Sequence, residues 1–293
     1  EIAHNYQGNC PMLMENGYCE LHANCGEDSL PSVCRYYPRG PRNNYAFESS
    51  CANSCEKTLE LLFDHTQPLT FEKKNLSFKM VLSSKPITEV EKESYQNVRQ
   101  ICFDLLQDRK KILSERIIEV GHYLYSLEKD GKYSDGQPGE PIDALQIFLD
   151  ILTRFSEIHP AFSEALNTIE ALVSHSSIES VYASQKKHFE KVLPYHEIWF
   201  EKAFINHLFF RQFPYQDPNR TFKDEYIAFA GKYMFVKTLS IFLMADKHTK
   251  EDFIDILTMI FRVVAHTQFE KNILILLRKN HIVSFSQVSK LLK

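Results

Sequence analysis

The sequence predicts a mainly α protein: a large helical body behind a small, loop-rich, cysteine-rich N-terminal module. Three observations point there. Only 9 of 293 residues are Gly, too few for a turn-rich β protein. Beyond Thr88, apolar residues recur at helical spacing. Ser or Thr stands three residues before Glu, Asp or Gln at several expected helix starts. The chain is 44% hydrophobic, with 22 Phe and 14 Tyr, so a sizeable core can form.

Taken in order, residues 1–53 are rich in Cys, Pro and Asn and show little periodicity beyond a short helix near 19–24. A helix is expected over 54–64, with Leu59, Leu62 and Phe63 on one face. Leu76, Phe78, Met80 and Leu82 alternate with Ser77, Lys79, Val81 and Ser83, which reads as a strand and one arm of a possible short β-hairpin. Thr88 and Glu91 form a capping box ahead of an apolar stripe through Leu106, and 112–127 repeats the pattern. Residues 129–139 carry three Gly and one Pro and read as an exposed loop.

Residues 141–158 and 160–174 read as a helical pair, with Pro160 in a first turn. Residues 184–213 read as a helix that Pro194 kinks or splits. Residues 215–220 break it, and 222–245 is an aromatic-rich helix. Thr249 with Asp252 caps a single helix over 251–279, and Ser284 with Gln287 opens a terminal one. The body thus comprises roughly eight to ten helices. It divides as a module over 1–53 and a body over 54–293. Trp199, Phe200, Phe204, Phe209, Phe210 and Phe213 read as core, and the adjacent Asn206, His207 and Arg211 as a wetter helix face.

The formal net charge is −4 with interspersed signs, which gives nucleic-acid binding little electrostatic support. The longest apolar stretches, near 233–245 and 254–265, contain Lys237 and Arg262 and fall short of the roughly 18–20 residues of a membrane span. No leader is visible, so a soluble cytoplasmic protein is expected, and the first residue, Glu1, suggests that the natural start lies upstream. No G-x-G-x-x-G, Walker A, H-E-x-x-H or G-x-S-x-G motif occurs. His188 and His196, or His4 and His22, read as structural.

The chemistry-bearing feature is the cysteines. Six of seven precede residue 56: Cys10, Cys19, Cys25, Cys34, Cys51 and Cys55. Thiolates suit zinc or iron–sulfur centres. Cys10, Cys19 and Cys34 are the candidate ligands, with Cys55, Cys25 or an upstream residue as a fourth. A disulfide-stapled extracellular module is the other reading. Arg35 and Arg39 flank the cysteines and would compensate thiolate charge or grip a carboxylate, or else serve as surface ion pairs. Arg262 and His266 share a helix face and read as a structural pair.

The runs Cys10-Pro-Met-Leu-Met-Glu-Asn-Gly-Tyr-Cys19, Gly26-Glu27 and Cys34-Arg-Tyr-Tyr-Pro-Arg39 resemble the flagellin lysine-N-methylase family, and more loosely the small zinc- or iron-chelating cysteine-cluster proteins. Ser54-Cys55-Glu56 is similar to that family's Ser-Cys-Pro-Glu helix start, with Glu56 where Pro is usual. Leu105–Arg109, Glu115-Arg116-Ile117, the segment 201–213 ending in Pro214-Tyr215, and Arg262 with His266 resemble further family segments, whereas Cys25 and Cys51 match no family position. The resemblance implies S-adenosylmethionine-dependent methylation of flagellin lysines, with a cysteine-ligated metal or iron–sulfur centre whose open iron would chelate the donor. Cys10, Cys19, Cys34 and Cys55 are then the ligands, and Arg35 and Arg39 lie on the cofactor. The rival function is a non-catalytic zinc-binding helical scaffold for protein–protein contact.

Overall fold

The computed structural model describes residues 10–75, 78, 87–128 and 142–292. Among them are thirteen α-helices and no regular strand. The strand expected over 76–82 falls outside the described residues except for Phe78, whose ring lies 5.8 Å from Tyr36 and 5.9 Å from Phe47. The loop expected over 129–139 is likewise outside them.

The N-terminal part holds three short helices, α1 (Glu20–Cys25), α2 (Ser32–Tyr36) and α3 (Glu56–Phe63). The body begins with α4 (Glu89–Leu106), α5 (Leu113–Ser126), α6 (Ala144–Ser156), α7 (Pro160–Val173) and α8 (Ile178–Val192). It continues with α9 (His196–Phe210), α10 (Phe222–Leu243), α11 (Lys250–His266), α12 (Phe269–Lys279) and α13 (Phe285–Leu291). The capping boxes at Thr88, Thr249 and Ser284 all form. Each satisfies two amide donors that a helix start otherwise leaves unpaired. Pro160 sits in the first turn of α7.

Pro194 separates α8 from α9, because it lacks the amide that would continue the ladder. The first of these helices starts earlier than expected, at Ile178, where Ser177 accepts the Ser180 amide. The helix expected over 251–279 is two. Thr267 leaves the helical region, its hydroxyl bonds the Val263 carbonyl at 2.8 Å, and the chain re-enters as α12 with Phe269 and Glu270 buried.

Helix α10 is the axis. It is buried on all sides and packs against α5, α6, α7, α8, α11, α12 and α13. A helix apolar all round must be enclosed by others. It is the one helix among the described residues long and apolar enough to cross a membrane, and 89% of its apolar window is buried in the protein. Helix α9 is buried along nearly its whole length too, whereas α6 and α12 bury one face. The expected aromatic stripe is core except at Phe210, which is half-buried: Trp199, Phe200, Phe204, Phe209 and Phe213 are buried, Phe200 packs on Tyr233 and Phe253, and Phe204 packs on Tyr233 and Phe229. Each such ring contributes about 1.5–3 kcal/mol when fully buried.

Candidate functional site

The cysteine-rich segment is a set of tight turns. Leu13 bridges Cys19, the Leu13 amide bonds the Cys10 carbonyl at 3.0 Å, and Gly17 takes the positive φ the turn needs. Cys10 and Cys19 therefore lie on the two arms of one small loop. Cys34 is exposed on α2, and Cys55 is the N-cap of α3. Cys51 pairs through its backbone with Arg39; burial raises its thiol pKa, and the nearby Cys55 adds to the shift.

All seven cysteines are free. Among the described residues no three Cys, His, Asp or Glu side chains gather at one point. The donor set is right in kind for a soft metal or a cluster, but its four members do not close on a common centre. Arg35 hydrogen-bonds the carbonyls of Glu27, Asp28 and Leu30. Arg39 bonds the Arg35 carbonyl at 2.6 Å and lies 3.6 Å from Glu27. Both arginines thus brace the turn.

Residues 37–55 are fastened to the C-terminal end of α9. Gly40 packs on the Phe210 ring so closely that an added Cβ would fall 2.3 Å from a ring carbon. Arg42 Nε donates to the Phe210 carbonyl at 2.7 Å, with its guanidinium over the ring. Asn44 donates to Gln212 at 2.8 Å and Asn53 to the Ala203 carbonyl at 2.7 Å. Asn206 donates to the Cys51 carbonyl and to Asn53. The wetter face expected for Asn206, His207 and Arg211 is a correction. Asn206 and His207 are buried, and Arg211 is half-buried. The docked segment bonds Asn206, while Lys232 of α10 and Glu270 of α12 flank His207.

Above this contact, Ser54 is fully buried and gathers its neighbours. Tyr37 donates to the Ser54 carbonyl at 2.8 Å, and His266 Nε2 is 2.8 Å from the Ser54 hydroxyl. Arg262 bonds Glu56 at 2.7 Å. Arg262 and His266 therefore do not pair with each other; both hold the start of α3. Burial, then the charge of Arg211, lowers the His266 pKa and keeps its ring neutral.

Beneath lies a buried ionic group built from α9, α10 and α12. Lys232 hydrogen-bonds Glu270, and its Nζ is 2.9 Å from His207 Nε2. Burial, with the Lys232 charge, brings the His207 pKa down to about 3, so the imidazole is neutral. Burial opposes ionisation of Glu270, but Lys232, His207 and Arg211 outweigh it and hold that carboxyl well below its usual range. Burial and the Glu270 charge push Glu225 up to about 8. Arg220 Nη1 lies 3.6 Å from Glu225 and 3.8 Å from Glu270, and Arg211 Nη2 lies 3.9 Å from Glu270.

A second buried group braces α9 from its other side. Glu201 accepts bonds from Arg109 and Arg116. Lys202 bonds the His65 carbonyl. His188 and His196 bond backbone carbonyls. The sequence reading missed both ionic groups as units. Their one sequence signal is a lone charge inside an apolar run, such as Lys232 in Phe229-Ala230-Gly231-Lys232-Tyr233.

Residues 135–291, more than half of the chain and the span of α6 to α13, match the family model described as FliB lysine N-methylase C-terminal domain. The matched span includes His207, Arg211, Lys232, His266 and Glu270, while the cysteines Cys10 to Cys55 precede it. No curated protein and no solved structure matches the chain.

Proposed function

The chain belongs to the flagellin lysine-N-methylase family, and from that membership we propose that it transfers methyl groups from S-adenosylmethionine to lysine side chains of flagellin. The match over 135–291 carries the reading. The chemistry sets two demands. A lysine ammonium must lose its proton before its nitrogen can attack the methyl sulfonium. The amine and the sulfonium must also be held in line.

The seam between residues 37–55 and helices α9, α11 and α12 suits these demands. It offers partly exposed polar groups (Tyr37, His266 and Arg211) on a rigid, hydrogen-bonded base. A neutral His266 adds no positive charge against a cationic donor and a lysine. The activity is tested by incubating the purified protein with flagellin and methyl-labelled S-adenosylmethionine and mapping the label by mass spectrometry. Label on lysine nitrogens is expected; its absence refutes the reading.

A cysteine-ligated iron–sulfur cluster or zinc belongs to the same proposal, with Cys10, Cys19, Cys34 and Cys55 as ligands. It would supply an electrophilic metal to the donor. Since these four thiols do not converge as placed, no step of the transfer is assigned to it. Anaerobic reconstitution followed by iron and sulfide analysis tests it, with loss of metal expected in Cys10→Ser. A cytoplasmic location, where thiols stay reduced, completes the proposal, with flagellin as the protein partner.

A further inference from the structure

On its outer face, α12 meets the last turn of α6 around an open groove of about 280 Å³. The buried Phe155 and half-buried Leu276 lie deepest in it, Ile158 and Ile275 line it at 69% and 43% exposure, and Arg154 and Lys279 flank it. Phe155 stacks on Phe269 with ring centroids 4.5 Å apart, which fixes the two helices against each other. The groove is therefore preformed. Its volume falls below the about 300–1,000 Å³ of small-molecule sites, so it suits the side chains of another protein better than a cofactor.

Charge sets this face apart from the chain as a whole, whose formal net charge is −4. The one acid of α12 is Glu270, which is buried and bonded to Lys232, whereas Lys271, Arg278 and Lys279 are exposed. Arg278 bonds Asp224 at 2.6 Å. Arg154 lies 3.6 Å from Glu157, in a pair open to water at both ends. Asp150, one turn before Arg154, accepts a bond from Gln146 at 3.0 Å. Lys271 and Lys279 have no ion pair among the described residues. Two aliphatic side chains held in water, over an apolar floor and between unpaired ammonium groups, make an apolar patch with a cationic rim. That is the pattern of a surface built to meet another protein.

We propose that this groove docks the protein substrate through an amphipathic segment whose apolar side chains are framed by Asp or Glu. The inference rests on the reading that the chain methylates a protein, and it adds the surface that recognises that protein. The apolar side chains enter between Ile158 and Ile275 onto Phe155 and Leu276, and the carboxylates meet Arg154, Lys271 and Lys279. Two helices that wall a groove suit a third laid along them, anchored by apolar residues three or four apart. From Lys271 to Lys279 the exposed face of α12 runs about 12 Å, a little over two turns of such a helix. Glu270, which faces the buried ionic group beneath the seam, lies about 7.5 Å back along α12 from Ile275. The groove thus adjoins the seam without sharing its residues.

The test is fluorescence anisotropy of labelled flagellin titrated with the full chain in the absence of methyl donor, followed by steady-state methylation. Ile158→Ser with Ile275→Ser is expected to weaken flagellin binding roughly 10-fold, the loss of an apolar anchor. Arg154→Gln with Lys279→Gln should weaken it about 3-fold and flatten its salt dependence, as rim charges do. All four side chains are exposed, so both variants should keep the helicity and melting temperature of wild type. In methylation the same variants should raise KM for flagellin by the same factors and leave kcat unchanged. Equal flagellin affinity in wild type and both variants overturns the proposal, as does a fall in kcat with KM unchanged. Loss of binding to anionic phospholipid vesicles in the charge variant, with flagellin affinity retained, overturns it in favour of a membrane surface. Wild type that methylates flagellin while both variants bind it normally leaves the methylase reading standing and removes only the dock. Wild type that binds flagellin through the groove without labelling it keeps the dock and removes the methylase reading. Wild type that neither binds nor labels flagellin removes both.

Discussion

Replacing Glu201 by Gln tests how α9 is held. The Glu201 side chain is 0% exposed and accepts hydrogen bonds of 2.9 and 2.7 Å from Arg109 and 2.6 Å from Arg116. Arg116 is only 3% exposed, and its sole other carboxylate among the described residues, Glu197, is 3.9 Å away. Removing the Glu201 charge strands a buried guanidinium, which costs about 3–5 kcal/mol. Arg109 is 28% exposed and regains water, so Arg109→Gln should cost only about 1 kcal/mol. With a urea slope of about 3 kcal/mol per molar, the Glu201→Gln midpoint should fall by roughly 1–1.7 M. Replacing Glu201 and Arg116 together by Met should restore most of that loss, because the buried guanidinium is gone and the part-exposed Arg109 turns to water. A Glu201→Gln protein within about 1 kcal/mol of wild type, or a double variant whose cost equals the sum of the singles, would refute the reasoning.

The Glu225 carboxyl, raised to about 8 and fully buried, binds its proton more tightly folded than unfolded. Its contribution is therefore complete below the ordinary carboxylate range and is lost as pH rises toward 8 and past it. Urea midpoints between pH 5 and 9 should decline in wild type, and Glu225→Gln should flatten that decline. Gly40→Ala drives a methyl into the Phe210 ring; overpacking of about 1–3 kcal/mol should loosen residues 37–55, read as faster proteolysis there with helicity retained. Asn206→Ala leaves the Cys51 carbonyl and Asn53 without their donor and should cost about 1–3 kcal/mol in thermal or urea unfolding. An Asn206→Ala protein as stable as wild type would show that the segment is not fastened through that side chain.

Helix existence was legible because its causes are local. Capping at Thr88, Thr249 and Ser284 involves residues three apart, and Pro194 acts on its own turn. The all-round burial of α9 and α10 follows from their lack of a polar face. The break at Thr267 was not legible. The apolar pattern runs through it, and only burial of Phe269 and Glu270 against α10 rewards a new helix direction. The cysteines were visible from spacing, but spacing measures chain distance: Cys10 and Cys19 share one half-buried turn, Cys34 is exposed on α2, and no three ligand side chains gather among the described residues.

By itself the sequence determined the helical class, most helix boundaries and the family whose segments it shares, all properties of short windows of chain. Tertiary structure alone decided that His207, Lys232 and Glu270 meet and that Ser54 gathers Tyr37 and His266. Those partners lie 17 to 212 residues apart. Packing of α9, α10, α11 and α12 selects among the many charges that could pair, because a charge buried without its partner is too costly to keep.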